Sequence, residues 1–121
     1  MTTLQAFLHQ LLEAPEKIQF NDTMAVIDAH YDFVPTAFQN GDQFNAAGEN
    51  SGSCKLFGFA QLHQLSPAQT LQCFGAYYRE DVLNNPNGID HQNIRNFMRT
   101  GWDGIRFEGQ ALIPRSRTGE P

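Results

Sequence analysis

Apolar residues recur at helical spacing from the start of the chain: Leu4, Phe7, Leu8, Leu11 and Leu12 fall at i, i+3, i+4, i+7 and i+8. That spacing lays one apolar stripe along a helix, with Thr2 or Thr3 as N-cap and Pro15 beyond its end. Asn21 as the next cap lets Phe20 staple onto Ala25 and opens a second helix to about Tyr31. It buries Met24, Ile27 and Tyr31, or the neighbouring Val26 and Phe33, before Pro35 stops it. Over residues 36–45 the period drops to two. Phe38 and Phe44 flank Asn40-Gly41-Asp42, whose Asn and Gly tolerate positive φ, so a short hairpin is expected.

Residues 46–53 form a loop rich in Gly, Asn and Ser, and Ser51 or Ser53 caps a third helix through His63. Leu56, Phe57, Phe59, Ala60 and Leu62 cover more than half of its circumference, the mark of a centrally buried helix. Ser66-Pro67-Ala68-Gln69 is a capping box with proline at the first helical position. The fourth helix carries Leu71, Phe74, Gly75, Tyr78 and Val82 on one stripe until Asn84-Asn85-Pro86-Asn87-Gly88 ends it. Asp90 caps a fifth helix in which Ile94, Phe97 and Met98 face inward and Gly101 supplies a left-handed stop. Residues 104–109 alternate as a strand.

A lone hairpin is marginal in water, so residues 105–108 are expected to join it as a third antiparallel strand. The pattern predicts a single α+β domain over residues 1–113, with about five helices and a small antiparallel sheet of two to three strands. Its core includes Leu8, Leu11, Ile27, Phe57, Leu71, Phe74, Phe97 and Ile105, and residues 114–121 read as a flexible C-terminal tail.

Composition agrees with a globular chain. Leu, Ile, Val and Phe number 10, 6, 3 and 10 among 121 residues, enough apolar area to offset chain entropy. The longest apolar or glycine run, 56–60, is far short of the ~20 residues of a membrane span, so no membrane partner is expected. No basic start with an apolar stretch behind it opens the chain; a cytoplasmic location and two reduced cysteines are therefore expected. The net charge is −5, with seven acids and only Lys17 in residues 1–50, against seven bases and six acids in residues 51–121. Such a field repels phosphate, and no nucleic acid is expected as partner.

Several blocks stand together in one order: Asp22-Thr23-Met24-Ala25-Val26-Ile27, Tyr31-Asp32-Phe33 with Pro35-Thr36-Ala37-Phe38, and Gly52-Ser53-Cys54-Lys55. Cys73-Phe74-Gly75-Ala76-Tyr77-Tyr78-Arg79, Asp90-His91-Gln92-Asn93-Ile94-Arg95-Asn96-Phe97 and Gly101-Trp102 before Gly104-Ile105-Arg106-Phe107 continue the series. On these blocks the chain resembles the HopJ type III effector family over residues 4–112. The resemblance implies a bacterial protein passed by a type III secretion apparatus into a plant cell, although similar proteins occur in bacteria without that way of life. It brings no established catalytic or binding residues with it. Type III signals are polar N-terminal segments, whereas a helix is expected here from Leu4, so a cytosolic role stands beside export.

The candidate chemistry is sparse. Cys54, in the first turn of a helix, is the one candidate nucleophile, because unsatisfied amides there favour a thiolate. It would need a folded-in His30 or His91, since His63 lies about 13 Å along the same helix on the opposite side. A small buried thiol is the plainer reading, as it is for Cys73 beside Phe74. His9, His30, His63 and His91 are scattered singly, and Asp28 and Asp32 share a face from which His30 points away, so no metal and no cofactor is expected. His91, Arg95 and Arg99, at i, i+4 and i+8, form the one basic stripe, able to hold an anionic ligand or dock an acidic partner unless internal carboxylates neutralise it. Tyr77 looks sideways from the fourth helix and, next to Arg79, is a candidate interface anchor. Gly101-Trp102-Asp103-Gly104 is most simply a turn.

Three readings follow: a non-enzymatic effector or interaction module with a protein partner, a small-molecule or anion binder, and a cysteine-dependent enzyme using Cys54. The first is favoured by the small domain and the lack of a catalytic set, and a monomer or weak dimer is expected.

Overall fold

The computed structural model describes residues 3–115. Helix α1 (Leu4–Glu13) starts where Thr3 Oγ1 accepts the Ala6 N–H at 3.0 Å. Phe7 and Leu11 are buried, Leu8 is half-buried, and Leu12 is 67% exposed, so the inward stripe is narrower than its spacing implied. After a 3₁₀ turn at Pro15–Lys17 comes α2 (Phe20–His30). It begins one residue ahead of the expected Asn21 cap, with the Gln19 N–H donating to Asp22 Oδ2 at 2.9 Å. Phe20 is thereby helical and stacks on Phe74 with ring centroids 6.3 Å apart, instead of stapling to Ala25.

The expected hairpin and third strand are present. Strands β2 (Phe38–Asn40), β3 (Gln43–Asn45) and β4 (Ile105–Phe107) form an antiparallel sheet in the order β3-β2-β4, with Phe38 opposite Phe107 and Gly41 at φ +59 in the turn. A second sheet was not legible from periodicity. Tyr31, read as the end of a helix, instead opens β1 (Tyr31–Phe33), which pairs antiparallel with β5 (Leu112–Pro114). Pro114 closes that strand, the Arg115 N–H donates to His30 O at 3.1 Å, and the Arg115 guanidinium meets Asp32 Oδ1 at 2.9 Å. Order thus continues two residues into the stretch read as a tail, whose remainder, 116–121, lies outside the described residues.

Helix α3 (Ser51–Leu62) runs through the centre, and Leu56, Phe57, Phe59 and Ala60 are fully buried. Phe57 is the hub: its ring lies 5.0 Å from Phe97, 5.5 Å from Phe74, 6.1 Å from Phe38 and 6.4 Å from Trp102. These distances are in the range of favourable offset and edge contacts. Helix α4 (Pro67–Gln72) carries the expected capping box, with Ser66 Oγ accepting from Gln69 N at 3.1 Å and Gln69 Oε1 accepting from Ser66 N at 2.9 Å. It does not continue to Val82. Gly75 takes φ +63, and the chain resumes as a π-helical segment, Tyr77–Val82. Helix α5 (Gln92–Thr100) follows and stops at Gly101, φ +57, as expected. Ile94 and Phe97 are buried, but Met98 is 44% exposed, against its expected inward role. The fold is a single α+β domain with two small antiparallel sheets, and the expected core is buried apart from the half-buried Leu8.

The break at Gly75 has a steric cause. A Cβ there would meet Phe20 N at 2.6 Å, so the residue must be glycine for α2 to approach. Gly48 has φ +89, but a Cβ there would stand in open space with nothing within 4 Å, which separates backbone strain from collision. Gly48→Ala is expected to cost about 1 kcal/mol in chemical denaturation. Gly75→Ala should cost about 3 kcal/mol or more, because collision adds to strain; equal costs would overturn the steric account.

Candidate functional site

Two clefts flank the N-terminal half of α5 and share Gln92 as a common wall. The first, about 410 Å³, has Phe20, Phe74 and Tyr77 on its aromatic side. Gln43, Asn50, Ser53, His91 and Gln92 make its polar side. The second, about 310 Å³, has an apolar lining of Val82, Leu83, Pro86 and Met98, with Arg95 and Arg99 at its edge.

The polar side is held by buried amides. Asn93 on α5 donates Nδ2 to Asn45 Oδ1 at 3.0 Å, while Asn40 Nδ2 donates to Asn93 O at 2.8 Å and Asn93 Oδ1 at 2.9 Å. Asn45 Oδ1 also accepts Asn50 Nδ2 at 2.7 Å. Helix α5 and both strands of the hairpin are therefore joined through the buried Asn40, Asn45 and Asn93, which have no water to fall back on, and the exposed Asn50 ties the start of α3 to them. Asn40 Oδ1 is the one buried side-chain oxygen left without a partner among the described residues. Sequence reasoning missed this network because Asn40 read as a turn residue and Asn45 as the end of the hairpin, with nothing local to pair either with Asn93.

The backbone is unusual at the same place. Asn50 caps α3 at φ 50 and His91 caps α5 at φ 51, replacing the expected caps Ser51 or Ser53 and Asp90. Because the chain turns sharply at His91, that residue is outside the helix, and the i, i+4, i+8 stripe does not exist as one surface. The His91 ring stands 5.2 Å from that of Tyr77, and its Nε2 lies 3.1 Å from Asp81 Oδ2 and 3.8 Å from Asp90 Oδ2. Arg95 is buried and turned inward. Its Nε donates to Asp90 O at 2.6 Å, Nη1 to Asn85 O at 2.8 Å and Nη2 to Asp90 Oδ1 at 2.7 Å. The guanidinium hydrogen bond holds the Asp90 carboxyl below the usual carboxylate range. Arg99 is exposed and donates to Asn96 Oδ1. Arg79, the expected companion of Tyr77, is also spent internally: it donates to Pro15 O at 3.2 Å, Gln72 O at 3.3 Å, Gln72 Oε1 at 2.8 Å and Ile18 O. The structure therefore brings Tyr77 and His91 together and sends Arg79 and Arg95 elsewhere.

Cys54 is buried, and its Sγ donates to Thr36 O at 3.6 Å. Burial pushes its thiol up, against the lowering effect of the Thr36 hydrogen bond, and no imidazole is among its hydrogen-bond partners. His63 instead meets Tyr31 Oη at 2.5 Å. Burial pushes Cys73 up to about 12. Asp28 and Asp32 are each drawn into a separate ion pair, with Lys55 at 3.0 Å and Arg115 at 2.9 Å. Among the described residues no helix is long and apolar enough to cross a membrane.

The family model described as HopJ type III effector protein matches residues 4–112. The chain belongs to this family. It is also similar to the crystal structure of the unknown function protein VPA0580, at 57% identity over 95% of this chain and 97% of that one, with a TM-score of 0.93. Among curated proteins no sequence matches.

In this HopJ fold Arg95 is a clasp on the loop before α5. Arg95→Ala strips two carbonyls and a carboxylate of their donor and should lower stability by about 2–3 kcal/mol in urea denaturation. Arg99→Ala should change it by under about 0.5 kcal/mol; similar effects from the two would refute the clasp. Cys73 adds an alkaline limit. The folded state holds this proton to about 12 while the unfolded chain releases it near the ordinary 9.0, so the folded state binds more protons between those values. Stability should then fall by up to about 1.4 kcal/mol per pH unit above pH 9, and Cys73→Ala should lose that part of the slope.

Proposed function

We propose that this HopJ-family protein is a non-enzymatic interaction module that grips a partner protein through the face on either side of Gln92. The observation that carries the reading is the pair of clefts divided by that single side chain, one aromatic and polar, the other apolar. A segment laid across Gln92 places one side chain in each. Aromatic residues, Met and Arg are the types enriched at protein interfaces, and here Tyr77, Met98 and Arg99 stand within one face. Ile89, 87% exposed, lies beside it and accepts the Gln92 Nε2 through its carbonyl at 2.7 Å.

Other classes have less support. The inward commitment of Arg95 removes the central cation that an anionic ligand would use. A raised, carbonyl-bonded Cys54 thiol is a poor nucleophile. The net charge of −5 disfavours nucleic acid and anionic membrane surfaces. Two free buried cysteines suit a reducing cytoplasm, that of the producing cell or of a recipient reached by type III export.

Affinity capture from native cytosol tests the reading when wild type is run beside Met98→Asp, which charges the apolar cleft, and Leu12→Asp, which charges an exposed site on α1. The expected result is a partner recovered by wild type and Leu12→Asp and lost by Met98→Asp. Identical recovery by all three would overturn the assignment of this face.

A further inference from the structure

We propose that the apolar cleft takes a partner segment in which one large apolar side chain is flanked by an acidic residue, the apolar group filling the cleft and the carboxylate pairing with Arg99. The inference rests on the reading of this face as the docking surface and names the chemistry of the segment that its second cleft selects. Val82 lies buried in the lining, while Leu83, Pro86 and Met98 leave apolar surface open to water around about 310 Å³ of space. Covering that surface with an apolar group is favourable, and a Met wall adapts to the shape that enters.

The lining also selects the sign of the neighbouring charge. Its two charged residues are both arginines, and no Asp or Glu lines the cleft. Arg95 is committed to the wall: a Cβ on Gly88 would meet its Nη2 at 2.6 Å, and the guanidinium is paired with Asp90 at 2.7 Å and bonded to two carbonyl oxygens. Arg99 is exposed and forms no ion pair with the described residues; its hydrogen bond goes to the neutral amide oxygen of Asn96. One positive charge at the edge of the cleft is therefore uncompensated. A cationic flank on the partner would meet like charge. A wholly apolar segment would strip water from the guanidinium and give it no acceptor in return, which is costly. A carboxylate replaces that water and accepts two N–H groups of the planar fork. The net charge of −5 opposes an anion from afar, but at physiological ionic strength charges more than about 8 Å apart are screened, and the contact with Arg99 decides.

The test is a titration of the isotope-labelled full chain, at physiological ionic strength, with acetyl-Glu-Leu-Glu-amide, acetyl-Gln-Leu-Gln-amide and acetyl-Glu-Ser-Glu-amide. Expected are saturable amide shifts at Leu83, Gly88, Met98 and Arg99 with the first peptide, binding about threefold weaker with the second, and no saturable response to the third. Arg99→Gln should bring the two leucine peptides to equal affinity. Equal binding of those two by wild type, a preference unchanged in Arg99→Gln, or no saturable shift would overturn the proposal. Octanoate binding this cleft more tightly than the acidic leucine peptide, or dimerisation of the free chain that Met98→Asp abolishes, would assign it to another occupant and overturn the proposal as well. Capture from cytosol separates this inference from the reading beneath it. A partner lost by Met98→Asp but held at the wild-type level by Arg99→Gln leaves the docking face standing and overturns the acidic flank, whereas a partner kept by both variants overturns the face itself.

Discussion

The amide cluster of Asn40, Asn45 and Asn93 is the constraint on which the rest of the site depends. Helix α5 meets the hairpin on a polar seam, and Asn93 is bonded there through its carbonyl, its Oδ1 and its Nδ2. A buried amide left without its partner costs about 1–3 kcal/mol, so the seam tolerates one register of helix on sheet and penalises its neighbours. An apolar seam of the same area would allow the helix to slide. Because Asn45 also holds Asn50, the same register places the start of α3 against the start of α5, and the cleft between them follows from the bonding.

The bases of the chain show the same inward bias. Arg79 closes carbonyl groups of the 3₁₀ turn and of α4, and Arg95 closes those of the loop before α5. Both act where a helix or turn ends with acceptors that no backbone N–H can reach, which is the task a guanidinium fan performs best. The consequence is electrostatic. Two of the eight basic residues lose their outward reach, and Arg95 takes the Asp90 carboxylate as its partner.

What the sequence revealed was whatever is settled within a few residues. The Ser66 capping box, the Gly41 turn and the left-handed stop at Gly101 were readable because each is decided by the local backbone. The core positions Ile27, Phe57, Phe74 and Phe97 were readable because helical period selects them. The β1–β5 pair was not, since three-residue strands are too short to show alternation and their partners lie far apart along the chain. The break at Gly75 was hidden because it is imposed by the backbone at Gln19 and Phe20, far away in sequence. The site failed for a similar reason: the stripe His91, Arg95, Arg99 assumed helix from His91 onward, and the left-handed turn there is fixed by tertiary bonding. Tyr77 and His91 were each noticed singly, but nothing local brings their rings within 5.2 Å of each other.

The left-handed residues divide by what their side chains do. Where the fold merely needs positive φ it uses glycine, at Gly41, Gly48, Gly75 and Gly101. Gln64 is left-handed just beyond α3, the ordinary place for such a residue at a helix end. Asn50 and His91 are different, because they stand at helix starts, where an extended cap is the rule and a left-handed one costs about 1–3 kcal/mol. Glycine would remove that cost at either position. The side chains there are bonded: Asn50 turns its amide to Asn45, and His91 sets an imidazole between Asp81 and Tyr77. Both left-handed positions border the same cleft, so the side-chain bonds that fix these two turns also fix the cleft's polar wall.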